Sequence, residues 1–200
     1  MIGQIPGFLH CSTGDLFRAL DKSSECGKAF LEYSTKGLLV PDNFTITLLK
    51  NHLDKLVKAG TFHPGKSIVV LDGVPRNVNQ ANLLADAIVV KKIIFLECAD
   101  IDKMVARLKK RATNSGRLDD ADENVVRNRM AIYAKETAPV LACYDKNLVA
   151  KIEADQPIIQ VFSDIVKTLT SVKEDLAGVS SLTDAALSAA RGSERLACDQ

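Results

Sequence analysis

The chain carries no excess charge of either sign. Its 200 residues hold 26 lysines and arginines against 25 aspartates and glutamates, a net charge of +1. Nothing in that balance attracts a polyanion, so nucleic acid and acidic membrane surfaces are not expected partners and any basic site must be local. Cysteine pairs are missing as well. Cys11, Cys26, Cys98, Cys143 and Cys198 are odd in number, widely separated and never in a CxxC pair; this fits a reducing compartment better than a disulfide framework or a zinc site. His10, His52 and His63 share no metal-ligand spacing with one another or with the cysteines, so no metal bound directly by side chains is expected. No segment approaches the roughly 18 apolar residues of a membrane span. The start, MIGQIPGFLHCSTGD, has neither a basic leader nor a Met-Gly acylation signal. A cytoplasmic, soluble monomer is expected.

What is present is a hydrophobic content of 46%, enough for one domain with a substantial core. Short runs of branched residues (GFLHC, SIVVLDG, KIIFLEC, LVAKIEA) alternate with amphipathic stretches of helical period. That alternation is the βαβ signature of an α/β fold. Because the runs are continuously apolar, the strands should form a parallel sheet covered by helices on both faces, in three layers. Ligands of such sheets lie beyond the carboxyl ends of the strands. Gly37 reads as a helix C-cap, Asp42 as the N-cap of the next helix, and Gly60, Pro64 and Gly65 as the link into SIVVLDG. From about residue 177 the chain becomes small and polar, which predicts a surface tail over 177–200 behind a domain of residues 1–176.

Three clusters carry chemistry. HCSTGDLFRAL puts Ser12, Thr13, Gly14 and Asp15 at a strand-to-helix turn with capping-box spacing. This is either an ordinary N-cap or, with Arg18 one turn in, an anion site at a helix start. In IVVLDGVPRNVNQ, Asp72 ends a strand where an uncompensated buried carboxylate would be costly, so a cation or hydrated metal should face it. Gly73 permits close approach, and Pro75 restricts the turn so that Arg76 points one way, as a bidentate clamp for phosphate or carboxylate. An Asp72–Arg76 salt bridge is the alternative reading of that turn. The third cluster, Arg107, Arg111, Arg117, Arg127 and Arg129 within 23 residues, surrounds a polar Gly-containing break. It is either a solvated charged face or a basic lid folding over the sheet's carboxyl edge. Arg127 and Arg129 cannot both face the same way.

The segments STGDLFRA, KGLLVPD, LDGVPRNVNQ, RATNSGRLDD and RNRMAIYAKETAPVLACY occur in the order and spacing of the adenylate kinases, and over about residues 6–170 the chain resembles that family of nucleoside monophosphate kinases. The resemblance implies a P-loop-kinase-like sheet, a monophosphate-binding region at about 13–66, a short lid at about 111–121 without a zinc-binding insertion, and transfer from Mg-ATP to AMP giving two ADP. It places Thr13, Arg18, Val40, Gly73, Arg76, Gln80, Arg117 and Arg129 around AMP. Arg107 and Arg111 fall on ATP, Arg111, Arg117 and Arg129 around the transferred group, and Asp72 on water around Mg²⁺. Such a reaction asks mainly for positioning and positive charge about the equatorial oxygens. Thr13 and Gln80 match the AMP-using members; the UMP/CMP kinases that resemble them usually carry Ala and Asn there.

Two departures accompany the resemblance. The family opens with a central strand and a phosphate loop ending Gly-Lys, whereas only eleven residues precede Ser12 and no GxxxxGK occurs in the 200. Without that unit the strands SIVVLDG and KIIFLEC are expected to face a gap or to slide together. LDDADENVVRN, between Arg117 and Arg129, is also one residue longer than the family's short-lid pattern, and RMAIY favours Arg129 over Arg127 for the site. The competing reading from another class is a non-catalytic relative that binds AMP or a protein partner.

Overall fold

A computed structural model describes residues 2–98, 100–115 and 122–174. Arg117, Cys198, most of the lid expected at 111–121 and the tail expected at 177–200 lie outside the described residues. In chain order the elements are β1 (Phe8–Ser12), α1 (Thr13–Arg18), α2 (Glu25–Thr35), α3 (Asp42–Lys58), β2 (Ile68–Asp72), α4 (Val78–Ala85), β3 (Ile93–Glu97), α5 (Ile101–Ser115), α6 (Glu123–Ile132), β4 (Val149–Glu153) and a helix α7 over 158–174. Each strand coincides with one of the branched apolar runs, and every described strand pairing is parallel.

Local chemistry sets the boundaries. Ser12 caps α1, its hydroxyl accepting from the Asp15 amide at 3.4 Å. Ser24 caps α2 through Gly27 N–H, and Asn77 caps α4 through Gln80 N–H. Gly37 takes φ +68° just past α2, the left-handed geometry expected of a helix stop. Asp42 does not cap α3: the cap position is Pro41, which makes no side-chain cap bond. Its carboxylate, one residue inside, is committed to three amides around the start of α4.

β1 pairs with β2 in a register that sets Ser12 against Asp72. This register carries the STGD and DGVPR turns to the same sheet edge. On one face of this pair Cys11 joins Ile46 and Leu49 of α3, Val74, and Leu84 of α4 in a core cluster. Phe8, of opposite parity along the strand, faces the other way, where Lys173 of α7 lies over its ring at 5.8 Å and donates to the Pro6 carbonyl. Helices therefore cover both faces of β1.

The sheet is divided. Among the described residues β2 pairs with β1 and β3 pairs with β4, giving two two-stranded sheets. Burial along these strands is partial: no residue of β2 or β3 is buried, and Leu96 is 49% exposed. A strand with one ladder neighbour leaves its second edge and much of its side-chain surface open.

Candidate active site

A cavity of about 650 Å³ opens at the carboxyl edge of the β1–β2 pair, bounded by α1, α2, the start of α3, the DGVPR turn, α5 and α6. Thr13, Arg18, Val40, Gly73, Arg76, Gln80 and Arg129 all line it. A volume of this order suits a small ligand. Its basic groups come from three separate elements, while Phe17, Phe30, Met104, Leu108 and Tyr133 supply apolar walls. Phe17 stacks on Phe30 with ring centroids 5.1 Å apart and meets Phe44 at a tilt, which fixes α1, α2 and α3 against one another.

Close backbone approach brings the basic groups together. Gly73 sits at φ +77°, and a Cβ there would lie 3.0 Å from both Thr13 Oγ1 and Arg76 Nη2. Its carbonyl accepts from both neighbours, Thr13 Oγ1 at 3.0 Å and Arg76 Nε at 2.8 Å. Thr137 Oγ1 donates to the Arg76 carbonyl at 2.7 Å, and the Val74–Pro75 peptide is cis. Arg76 is thus held both by its side chain and by its carbonyl. Arg18 folds back over the start of its helix, pairing with Asp15 at 2.6 Å, with its Nη2 3.0 Å from where a Cβ on Gly14 would stand.

Arg129 arrives from the opposite wall. A Cβ on Gly37 would lie 2.9 Å from the Val125 carbonyl and 3.1 Å from Arg129 Cγ, so the bare glycine lets α6 close on the end of α2. Asn128 Nδ2 ties the same contact, donating to the Lys36 carbonyl at 2.8 Å. Arg127 instead pairs along its own helix with Glu123 at 2.8 Å.

Gln80 is 1% exposed yet lines the cavity. Its Oε1 accepts from the Arg76 amide and its Nε2 donates to Asp42, both at 2.8 Å.

The remaining expected residues lie elsewhere. Arg107 does not line this cavity; it donates to the Ala154 carbonyl and pairs with Asp155 at 3.2 Å, beyond the end of β4. Lys103 bonds the same carboxylate at 2.6 Å and, with Arg107, holds Asp155 below the ordinary carboxylate range. Arg111 stands on the face of α5 that carries Met104 and Leu108 to the cavity, seven residues along from Met104. Asp72 is not the buried charge that its strand position suggested: its side chain is 65% exposed, 3.7 Å from His10 Nε2. It stands at the last register position of β2, opposite Ser12. No group of three or more His, Cys, Asp or Glu side chains able to hold a metal occurs among the described residues.

The sequence reading missed the aromatic and methionine walls, the role of Thr137, and Asp42. Apolar wall residues look like any helix core in a sequence. Asp42 lies more than thirty positions from the amides it binds, which leaves no local signal.

A model of the adenylate kinase family matches residues 2–149. Adenylate kinase isoenzyme 1 of Cyprinus carpio is 34% identical over 169 residues, 84% of this chain and 84% of the relative. The isoenzyme 1 of Oryctolagus cuniculus is 35% identical over the same span, and an adenylate kinase of Flavobacterium psychrophilum is 36% identical over 170 residues, 80% of this chain and 85% of its own. The chain belongs to the adenylate kinase family. Among its described residues no helix is long and apolar enough to cross a membrane. As an adenylate kinase relative it is a nucleoside monophosphate kinase by descent, and its parallel α/β architecture agrees with that membership.

Proposed function

We propose that the cavity is an acceptor site for AMP, and that the chain serves the reaction Mg-ATP + AMP to two ADP. The observation that carries this reading is the convergence of three guanidiniums, Arg18, Arg76 and Arg129, with the buried amide of Gln80 in one hollow. Guanidinium forks bind the dianionic phosphate, the apolar walls hold the base, and Gln80 meets the base edge. Thr13, Val40 and Gly73 shape the same hollow. Arg107 and Arg111 belong to the ATP side, Arg117 contacts the transferred group, Arg129 bridges both nucleotides, and positive charge around the transferred group supplies the electrostatic part of catalysis.

Mg²⁺ enters with ATP. The residues present suit an outer role only: the exposed carboxylate of Asp72 can order water around the ion, and no described cluster cages it. Magnesium neutralises the phosphates and aligns them when bound. The 200 residues contain no GxxxxGK nest for the donor phosphates. We assign the cavity to the acceptor half of the reaction.

Calorimetric titration with AMP tests the assignment. Wild type is expected to bind one AMP, and Arg76→Ala to lose at least about 30-fold in affinity, the equivalent of about 2 kcal/mol for a charge-assisted phosphate contact, with an unchanged circular dichroism spectrum. Equal affinities would return Arg76 to a purely structural role in the turn.

A further inference from the structure

We propose that Asp42 determines base specificity by locking the amide of Gln80 in the one orientation that accepts a 6-aminopurine and rejects a 6-oxopurine. The inference rests on the reading of the cavity as an adenine mononucleotide site and adds the residue that enforces the choice of base.

A glutamine amide alone cannot discriminate the two purines. Its carbonyl oxygen accepts and its NH₂ donates, so it can pair with the amino-and-nitrogen edge of adenine; turned over by 180°, it pairs equally well with the oxo-and-imino edge of hypoxanthine. Discrimination requires that the turn be blocked.

In this structure both ends of the Gln80 amide are held by partners of unambiguous polarity. The Arg76 backbone N–H, which can only donate, faces Oε1 at 2.8 Å. The Asp42 carboxylate, which only accepts, faces Nε2 at 2.8 Å. Turning the amide over would set Oε1 against the carboxylate and NH₂ against an N–H, with both bonds lost in a side chain that is 1% exposed. The charged anchor is the stronger of the two, since a bond to an ionised partner is roughly twice as strong as a neutral one.

One N–H and one lone pair of the amide remain for a ligand in the cavity, in fixed order. That order suits an amino group opposite Oε1 and a ring nitrogen opposite Nε2. A 6-oxopurine would bring oxygen to oxygen and N–H to N–H, leaving buried polar groups unpaired.

Asp42 is itself immobilised. Oδ1 accepts from Asn77 Nδ2 at 2.9 Å as well as from Gln80, and Oδ2 accepts from Asn79 Nδ2 at 2.7 Å. Asn77 in turn fixes the Gln80 backbone, its Oδ1 accepting from Gln80 N–H at 2.8 Å. Burial alone would raise the Asp42 carboxyl, but the amides of Asn79, Asn77 and Gln80 together outweigh it and leave it below the ordinary carboxylate range. The anchor is therefore an anion at neutral pH, placed in the first turn of α3, where the helix favours negative charge.

The test is titration of the full 200-residue protein with AMP and with IMP, before and after Asp42→Ala and Asp42→Asn. Wild type is expected to prefer AMP by at least about 100-fold, the size of effect that follows from leaving polar groups unpaired. Asp42→Ala should narrow the preference to below about 10-fold, chiefly by improving IMP. Asp42→Asn covers the case in which alanine disturbs folding: its amide can turn either oxygen or nitrogen to Gln80, so its preference should fall at least about threefold. Variants that bind AMP and keep the full wild-type preference would overturn the lock alone. A wild type that binds neither nucleotide would overturn the mononucleotide reading and the lock with it.

Discussion

Replacing Gly73 by alanine strikes at the residue on which the STGD and DGVPR turns meet. The position has φ +77°, and an added Cβ stands 3.0 Å from Thr13 Oγ1 and from Arg76 Nη2. A non-glycine residue in left-handed geometry costs about 1–2 kcal/mol. The methyl group also presses on the two side chains that hydrogen-bond the Gly73 carbonyl, at 3.0 and 2.8 Å. Weakening that pair adds about 1–2 kcal/mol, since each such bond contributes about 0.5–1.5 kcal/mol. The total of about 2–4 kcal/mol corresponds to a fall in Tm of about 5–15 °C for a chain of this size. Urea unfolding followed by circular dichroism gives the stability, and AMP titration gives the second readout, because the displaced Arg76 should bind phosphate less well. A Gly73→Ala protein within about 0.5 kcal/mol of wild type, the ordinary range for a neutral surface change, would refute the account of the turn. Unchanged AMP affinity would detach the turn from the site.

Two further outcomes follow from the same structure. The 200 residues should transfer phosphoryl groups at least about a thousandfold more slowly than a version fitted with an upstream GxxxxGK loop, in line with the loss of electrostatic stabilisers; comparable rates in a coupled ADP assay would show that the arginines suffice. Lys103, and behind it Arg107, hold the Asp155 carboxyl below its ordinary value. A depressed carboxyl contributes stability that is present above the unfolded pKa of about 3.9 and is lost as pH falls through the lower folded value. Urea unfolding between pH 5 and 2, a window of about that range, should therefore lose less stability in Asp155→Asn than in wild type. Identical acid profiles would mean that the Lys103–Arg107–Asp155 contacts do not matter to folding.

Much of this molecule was legible in its sequence, for identifiable reasons. Branched apolar runs can only be strands or buried helix, and their short length with turn residues at both ends settles the matter, so β1 to β4 fall on the four runs. The STGD and DGVPR turns could be placed at one edge because parallel strands deliver their carboxyl ends to the same side. Helical period separated Arg129 from Arg127, although only the close approach of α6 to Gly37 shows which one enters the cavity.

Other features depended on pairings between distant residues. Asp72 was expected to be buried because it ends an apolar run; its exposure follows from the open edge of a two-stranded sheet. Asp42 was expected to cap α3 because aspartate is a favoured residue at a helix N-cap. In the folded chain the amides of Asn77, Asn79 and Gln80 compete for it and win, three donors against one cap bond. That competition is invisible until α3 and α4 are side by side.

Residue-level mapping of AMP on isotope-labelled protein tests the central claim most directly. On adding AMP, the amides of Thr13, Gly73, Arg76 and Gln80 and the guanidinium signals of Arg18, Arg76 and Arg129 should shift together along one saturable curve, while Arg127 stays put. Shifts scattered over unrelated surfaces, or saturation that leaves Arg18, Arg76 and Arg129 unmoved, would contradict the assignment of this cavity to the mononucleotide.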